Sequence, residues 1–424
     1  MTSFKKTVLE SGLRIITAPQ PMNPAVTILV LVEAGSEYET KDINGLSHFL
    51  EHLCFKGTKK RPKAIDIAGE LDGIGALYNA FTSQEFTGYF AKAGAKHFDK
   101  ILDVVSDIYL NSVFDPTEID KERGVIIEEI NMYEDLPMAR VHYLFLELLY
   151  GDQPAGWNIV GEKEIIRTLT REDFVAYRKK HYSVGNTIVV VAGKIDEESV
   201  IVKISEAFMG MTAGDKSKKL KPKETQEIPE LLVKYKESDQ THLILGVRGY
   251  DVFDKRRFTA DVIADILGGG MSSRLFQKIR EEMGAAYYIN ASSELFLDHG
   301  YLRASAGVDC QRLPEVVRAI VGEFKRLRDE PISPAELQKV KDHLIGGLML
   351  GLETSDDLAR FYGGQEVIER KIMTPEEIVE QIQAITAEEI QGVAKDLFKN
   401  EGLNLAVIGP LKNSEELQSV LQIA

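Results

Sequence analysis

His48, Glu51 and His52 stand at positions i, i+3 and i+4 of the run His48-Phe49-Leu50-Glu51-His52. On an α-helix that spacing puts two imidazoles and a carboxylate on one face. Two imidazoles four residues apart can reach one tetrahedral ion, the arrangement found in catalytic zinc sites. The carboxylate beside them would act differently, holding a water on the metal and taking its proton as a general base. The order His-x-x-Glu-His reverses the commoner His-Glu-x-x-His, so the helix is expected to approach the ion in the opposite direction. Taken alone, the run is also compatible with a polar helix face carrying incidental histidines, and a third ligand decides between the two.

A carboxylate is the usual companion of two histidines in hydrolytic zinc sites. The stretch Glu122-Arg123-Gly124-Val125-Ile126-Ile127-Glu128-Glu129-Ile130 offers candidates. Glu122 and Glu129 are seven apart and share one face of a helix two turns from each other, whereas Glu128 is turned about 100° away. One of the pair can bind metal while the other orients a ligand from behind. Spacing alone leaves the choice between Glu128 and Glu129 open. Cys54, two residues beyond His52, points about 200° away from it on a helix and reads as a small buried thiol. His97, His142, His181, His242, His299 and His343 stand singly, so the second half of the chain has no counterpart of the metal motif.

The elements that must position these side chains follow from hydrophobic period. Met1 to Pro19 alternates like a strand, with Ile15-Ile16-Thr17 as its clearest part, and Ala25 to Glu33 reads as a second strand. The metal helix follows, then a strand hairpin over Ala76 to Ala91. Helical patterns run through Phe98–Leu110, Pro116–Glu134 and Met138–Tyr150. Strands gathered with helices in this way predict an α+β fold, a mostly antiparallel sheet packed with helices.

The later part of the chain repeats the earlier. Thr170 and Asp173 form a capping box ahead of a helix and the strand Thr187–Gly193, and Thr386 and Glu389 do the same ahead of Leu403–Gly409. Asp115-Pro116-Thr117-Glu118 answers Ser333-Pro334-Ala335-Glu336, so the offset holds at roughly 216 to 218 residues, a sign of internal duplication. Between the halves lies a charged stretch without hydrophobic period, Ala213 to Lys223 and on to Pro229. The expected division is a catalytic domain at 1–212, a linker at 213–229 and a homologous non-catalytic domain at 230–424.

At 424 residues the chain is too long for one ordinary core, and its 44% hydrophobic and 28% charged composition is that of a globular protein. A net charge of −15 disfavours nucleic acid. No apolar run approaches the roughly 20 residues of a membrane span, and the start lacks the apolar core of a signal peptide. With only two cysteines, Cys54 and Cys310, a disulfide framework is excluded and a cytoplasmic location is expected.

The motif His48-Phe49-Leu50-Glu51-His52, with Glu129 far downstream, resembles the signature of the pitrilysin/insulinase family of inverted-motif zinc peptidases. Length and two-domain layout resemble the branch containing the mitochondrial processing peptidase subunits and their bacterial relatives. The resemblance covers essentially the whole chain. It implies His48, His52 and Glu129 as ligands of one zinc ion per chain, Glu51 as general base, and Glu122 as the carboxylate behind the ligands. Gly75-Ala76-Leu77-Tyr78-Asn79-Ala80-Phe81-Thr82 resembles the family's edge strand, whose unpaired backbone takes an extended peptide as an added strand. Asn79, Ala80 and Phe81 are the substrate-binding positions this implies. In the second half, Gly268-Gly269-Gly270 lacks the order of a phosphate-binding loop. The segment after it resembles the family's Arg and Tyr that close over the active site, and Arg280 and Tyr287 fit their spacing. Both suit an oxyanion.

The expectation is thus a zinc endopeptidase acting on unfolded or extended peptides inside an enclosed chamber. Family members of twice this length carry four such domains, so the chain resembles half of a clam. A homodimer is expected, with Arg280 and Tyr287 of one subunit closing over the zinc of the other; a heterodimer with an inactive homologue is the variant. Two other readings are a non-catalytic scaffold subunit of the same fold and a zinc-holding binding module. Replacing Glu51 separates all three.

Overall fold

The computed structural model of the chain describes residues 4–214, 216 and 218–423. Among these, the strands form two sheets. The first contains β1 (Lys5–Val8), β2 (Arg14–Pro19), β3 (Ala25–Val32), β4 (Leu77–Thr82), β5 (Thr87–Gly94) and β6 (Thr187–Gly193) in the order β1-β2-β6-β3-β5-β4. The continuous apolar runs AVTILVLV and TIVVVAG occupy its centre, as expected for strands covered on both faces. Pairing is antiparallel except between β2 and β6. β4 is left at an open edge.

The amino-terminal region differs from the single alternating strand the sequence predicts. It is a hairpin of β1 and β2, turned at Gly12, whose φ of +92° favours glycine.

The second sheet contains β7 (Glu230–Tyr235), β8 (Thr241–Arg248), β9 (Ala286–Leu295), β10 (Gly300–Val308) and β11 (Asn404–Gly409) in the order β7-β11-β8-β10-β9. Strand for strand this repeats β2-β6-β3-β5-β4, including the single parallel pair. Each sheet carries helices on its faces, which makes the chain an α+β protein built from two copies of one topology.

Two compact units emerge, one of Met1–Ile130, Asn158–Leu220 and Met349–Pro375, the other of Asn131–Trp157, Lys221–Leu348 and Glu376–Ala424. Relative to the contiguous division at 213–229, each half of the chain lends a helix to the other unit. Helix Ser355–Ile368 packs on β3 and β6, where Leu358, Ala359, Tyr362 and Val367 meet Leu29, Leu31 and Val190. It is fastened by buried charge: Arg14 reaches Glu33 at 2.6 Å and Glu366 at 3.1 Å, and Arg370 reaches Glu33 at 2.8 Å. Helix Pro137–Tyr150 packs on β11 and β8 of the second unit. Amphipathic period tells that a helix has an apolar face, not which sheet will receive it.

In the charged linker, Asp215 and Ser217 lie outside the described residues. The side chain of Lys219 is buried in the first unit, its Nζ 2.5 Å from Glu37 and 3.0 Å from Glu85. Among the described residues no helix is long and apolar enough to cross a membrane.

Candidate metal centre

The helix α1 (Leu46–Cys54) buries Leu46, Phe49, Leu50 and Leu53, a stripe at i, i+3, i+4 and i+7 that fixes its rotation. It packs against the edge strand β4. Its start needs Gly45, whose φ is +95° and where a Cβ would come within 2.8 Å of the Val160 carbonyl oxygen. No side chain caps the helix from the residue before it. Instead the buried carboxylate of Glu39 accepts hydrogen bonds from the backbone N–H groups of Ser47 (2.6 Å) and Gly45 (2.8 Å) and from Asn44 Nδ2 (3.1 Å). An anion at a helix N-terminus meets unpaired donors and the positive end of the dipole. Burial nevertheless pushes the Glu39 carboxyl up to about 7.

Three further helices complete the surroundings: α2 (Ala64–Asp72), α3 (Phe98–Asn111) and α4 (Pro116–Asp135). α4 starts with proline at its first position, and Asp115 Oδ1 accepts from the N–H of Thr117 at 2.8 Å. Ile119, Ile126 and Ile130 anchor it, which carries Glu122 into a buried position and leaves Glu129 half-buried beside it.

His48, His52 and Glu129 come together, one ligand atom from each lying within 4.8 Å of the others. His48 Nε2 is 3.6 Å and His52 Nε2 3.7 Å from Glu129 Oε2. The two imidazole centroids are 4.7 Å apart. Glu128, the alternative by spacing, is exposed and outside the cluster. Behind it, His52 Nδ1 is 2.9 Å from Glu122 Oε1, and Lys56 Nζ donates to Glu122 Oε2 at 2.6 Å. Two nitrogens and one carboxylate oxygen converging on one point is the donor set of a catalytic zinc site with a position left for water or substrate, so the residues fit the ion.

Electrostatics fit as well. Burial, with His52 nearby, pushes His48 from its usual 6.5 to about 3, so its imidazole is neutral and has a lone pair to offer near neutral pH. For His52, burial pulls downward, but the hydrogen bond to Glu122 and the charges of Glu51, Glu129 and Glu122 outweigh it and raise the pKa. Burial alone would raise Glu122; the bonds from His52 and Lys56 hold it below the usual carboxylate range. Glu51 is 8% exposed and raised by that burial, against a hydrogen bond from Thr82 and the charge of His52. Thr82 Oγ1 donates to Glu51 Oε2 at 2.5 Å.

Thr82 belongs to β4, the strand holding Asn79, Ala80 and Phe81. Alternation puts Ala80 and Thr82 on the side of α1 and sends the Phe81 ring the other way, over Gly88 and beneath the Arg360 guanidinium. The backbone of Phe81 pairs with Gly88 of β5, so the N–H and C=O groups turned to the open edge are those of Ala80 and Thr82. Asn79 is exposed, and its Oδ1 accepts from the N–H of Ala80 at 2.9 Å, occupying an edge donor. A cavity of about 300 Å³ beside this strand is lined by Phe55, Lys56, Ala64, Ile67, Tyr78 and Asn79. It has the size to take one side chain, with apolar groups of Phe55, Ala64 and Ile67 and polar groups of Lys56, Tyr78 and Asn79 on its wall.

In the second unit, Arg280 and Tyr287 are neighbours: the guanidinium of Arg280 lies 5.7 Å from the Tyr287 ring and 4.8 Å from that of Phe276. Both are exposed, Tyr287 by 76%. Sequence reasoning passed over Thr82, Lys56 and Glu39. Lys56 was within reach, four residues beyond His52 and just past the end of α1; Glu39 comes from the turn ahead of α1 and Thr82 from β4, and neither leaves a local signal.

The family model "Insulinase (Peptidase family M16)" matches residues 14–163, and "Peptidase M16 inactive domain" matches residues 168–344. An uncharacterized zinc protease of Bacillus subtilis is 36% identical over 410 residues, covering 97% of this chain and 99% of that protein. One from Streptomyces coelicolor is 32% identical over 419 residues, covering 97% and 91%. Among solved structures, a protease from Helicobacter pylori has a TM-score of 0.89 at 22% identity, covering 96% of this chain and 100% of that one. A chain of complex III2 from Candida albicans has a TM-score of 0.86 at 18% identity, covering 99% and 100%.

Proposed function

The chain belongs to the insulinase family of peptidases, and from that membership we propose that it is a zinc-dependent endopeptidase that cuts unfolded or extended peptides. The observation that carries the proposal is the convergence of His48, His52 and Glu129 beside the buried carboxylate of Glu51. His48, His52 and Glu129 hold one zinc ion, and Glu122 fixes the tautomer of His52 so that Nε2 faces it. When bound, zinc supplies Lewis acidity to the scissile carbonyl and to the attacking water.

Glu51 takes the proton of that water and passes it to the leaving amine, a role suited to a carboxyl that burial holds above the usual carboxylate range. The open edge of β4 receives the peptide backbone as an added strand, with Asn79, Ala80 and Phe81 setting its register. Arg280 and Tyr287 donate to the developing oxyanion. The enzyme is a cytoplasmic homodimer in which these two residues serve the partner's zinc site, and the enclosed chamber so formed admits peptides and excludes folded proteins.

The scaffold reading draws on the shared fold with the complex III2 chain. Against it stand the complete donor set and a general base beside it, which a scaffold has no use for. The purified protein, its Glu51→Gln variant and a chelated sample should be offered a mixed library of unfolded peptides, with metal content measured. About one zinc per chain in wild type and variant, with cleavage by the zinc-loaded wild type alone, is the expected result. Zinc without cleavage favours the scaffold, and absence of zinc removes the proposal.

A further inference from the structure

The general base is gripped from the strand that is to hold the substrate. Glu51 lies in α1 and Thr82 thirty-one residues on in β4, yet Thr82 Oγ1 donates to Glu51 Oε2 at 2.5 Å. Three features make this contact more than incidental. The carboxylate is buried, so a donor lost there is not replaced freely by water. Threonine is β-branched and stiff at χ1, and β4 is held in register by five further pairs with β5 from Leu77↔Lys92 to Phe81↔Gly88, so the hydroxyl is delivered with little freedom. And Thr82 itself pairs with Thr87, whose own hydroxyl is tied to the Ala34 carbonyl at 2.8 Å, which fixes the end of the hairpin behind it.

We propose that Thr82 is the positioning residue of Glu51: its hydroxyl occupies Oε2 and orients the carboxylate so that Oε1 is the oxygen that receives the proton from water. Because Thr82 lies two residues from Ala80 on the same face of the edge strand, one element sets both the register of the peptide and the aim of the base. Displacement of β4 then disturbs catalysis even when the metal ligands are untouched. This inference rests on the peptidase reading, since Thr82 acts only through Glu51.

Two variants separate positioning from mere structure. Thr82→Val keeps the shape and removes the donor; Thr82→Ser keeps the donor and removes the methyl. Thr82→Val is expected to lower kcat about 10- to 100-fold, the loss of one hydrogen bond to a charged acceptor, with KM and zinc content unchanged. Thr82→Ser is expected to restore most of kcat. Equal kcat in wild type and Thr82→Val, failure of Thr82→Ser to rescue, or a loss confined to KM would each overturn the proposal.

Crystal structures of the zinc-loaded wild type and both variants give a readout that needs no activity. The Glu51 carboxylate should keep one orientation in wild type and Thr82→Ser and lose it in Thr82→Val; an unmoved carboxylate in Thr82→Val overturns the assignment. If the wild type cuts no peptide while the carboxylate behaves as expected, the peptidase reading fails and the positioning contact does not.

Discussion

His52 and Glu122 meet at 2.9 Å through Nδ1, and this one contact decides what the other side of the imidazole can do. With Nδ1–H donated to the carboxylate, Nε2 carries the lone pair and faces Glu129. Lys56 on the other oxygen of Glu122 keeps that carboxylate ionised, so it remains an acceptor. Lys56, Glu122 and His52 form a hydrogen-bonded chain that ends where His48, His52 and Glu129 converge.

Replacing Glu122 by Gln should therefore weaken zinc binding without removing a ligand. The amide can still accept from His52 through its oxygen, but it no longer carries charge and its NH2 group faces Lys56. A loss of about 10- to 100-fold in zinc affinity is expected, measured by competition with a chelator of known affinity. Unaltered affinity would show that His52 is oriented by its packing alone.

Glu39 gives a pH dependence of stability. Burial raises its carboxyl from 4.5 to about 7, so the folded state holds the proton more tightly than the unfolded chain. Its contribution to stability is complete below about 4.5 and is lost as pH rises through about 7. In Glu39→Gln that slope is absent. Unfolding free energies of the two proteins, measured by denaturant from about pH 4.5 to about pH 8, should drift in favour of the variant as pH rises. Parallel curves would mean that the donors of Ser47, Gly45 and Asn44 outweigh burial and keep the carboxylate charged throughout.

The start of α1 makes a separate claim. Gly45→Ala combines a φ of +95° with a Cβ at 2.8 Å from backbone atoms of Val160 and Gly161, which cannot yield as a side-chain tip can. The left-handed conformation and the overlap together should cost at least about 2 kcal/mol of stability. Because the same turn aims α1, zinc affinity should fall with it. Wild-type behaviour in both measurements would show that the chain can enter this helix by another turn.

What the sequence made legible were relations of fixed local geometry. The i, i+3, i+4 spacing of His48, Glu51 and His52 carries its meaning within one helix, and the seven-residue step from Glu122 to Glu129 carries it within another. That β4 lies at an edge followed from resemblance, not from its residues. The grip of Thr82 on Glu51 and the capping of α1 by Glu39 depend on how separate segments pack, and neither residue type nor spacing announces them. Glu39 lies in the run Glu37-Tyr38-Glu39, where two acids flanking a tyrosine suggest solvent; all three are buried. The crossing of helix Ser355–Ile368 to the first sheet was equally hidden, because its apolar stripe would suit either sheet.

The proposed dimer can be tested through its shared sites. If Arg280 and Tyr287 act on the partner's zinc, a Glu51→Gln subunit still offers an intact Arg280 and Tyr287, while an Arg280→Ala/Tyr287→Phe subunit still offers an intact metal site and base. Each variant alone is expected to be inactive or nearly so. In a mixed dimer one of the two sites combines an intact base from one subunit with intact donors from the other, as two-fold symmetry requires. Random exchange of equal amounts gives half mixed dimers, so about a quarter of wild-type activity should return. If Arg280 and Tyr287 act within their own chain, each chain in the mixture keeps its own defect and no activity returns. Giving the two variants different affinity tags distinguishes that outcome from a failure of subunits to exchange, since only exchanged dimers are recovered with both tags.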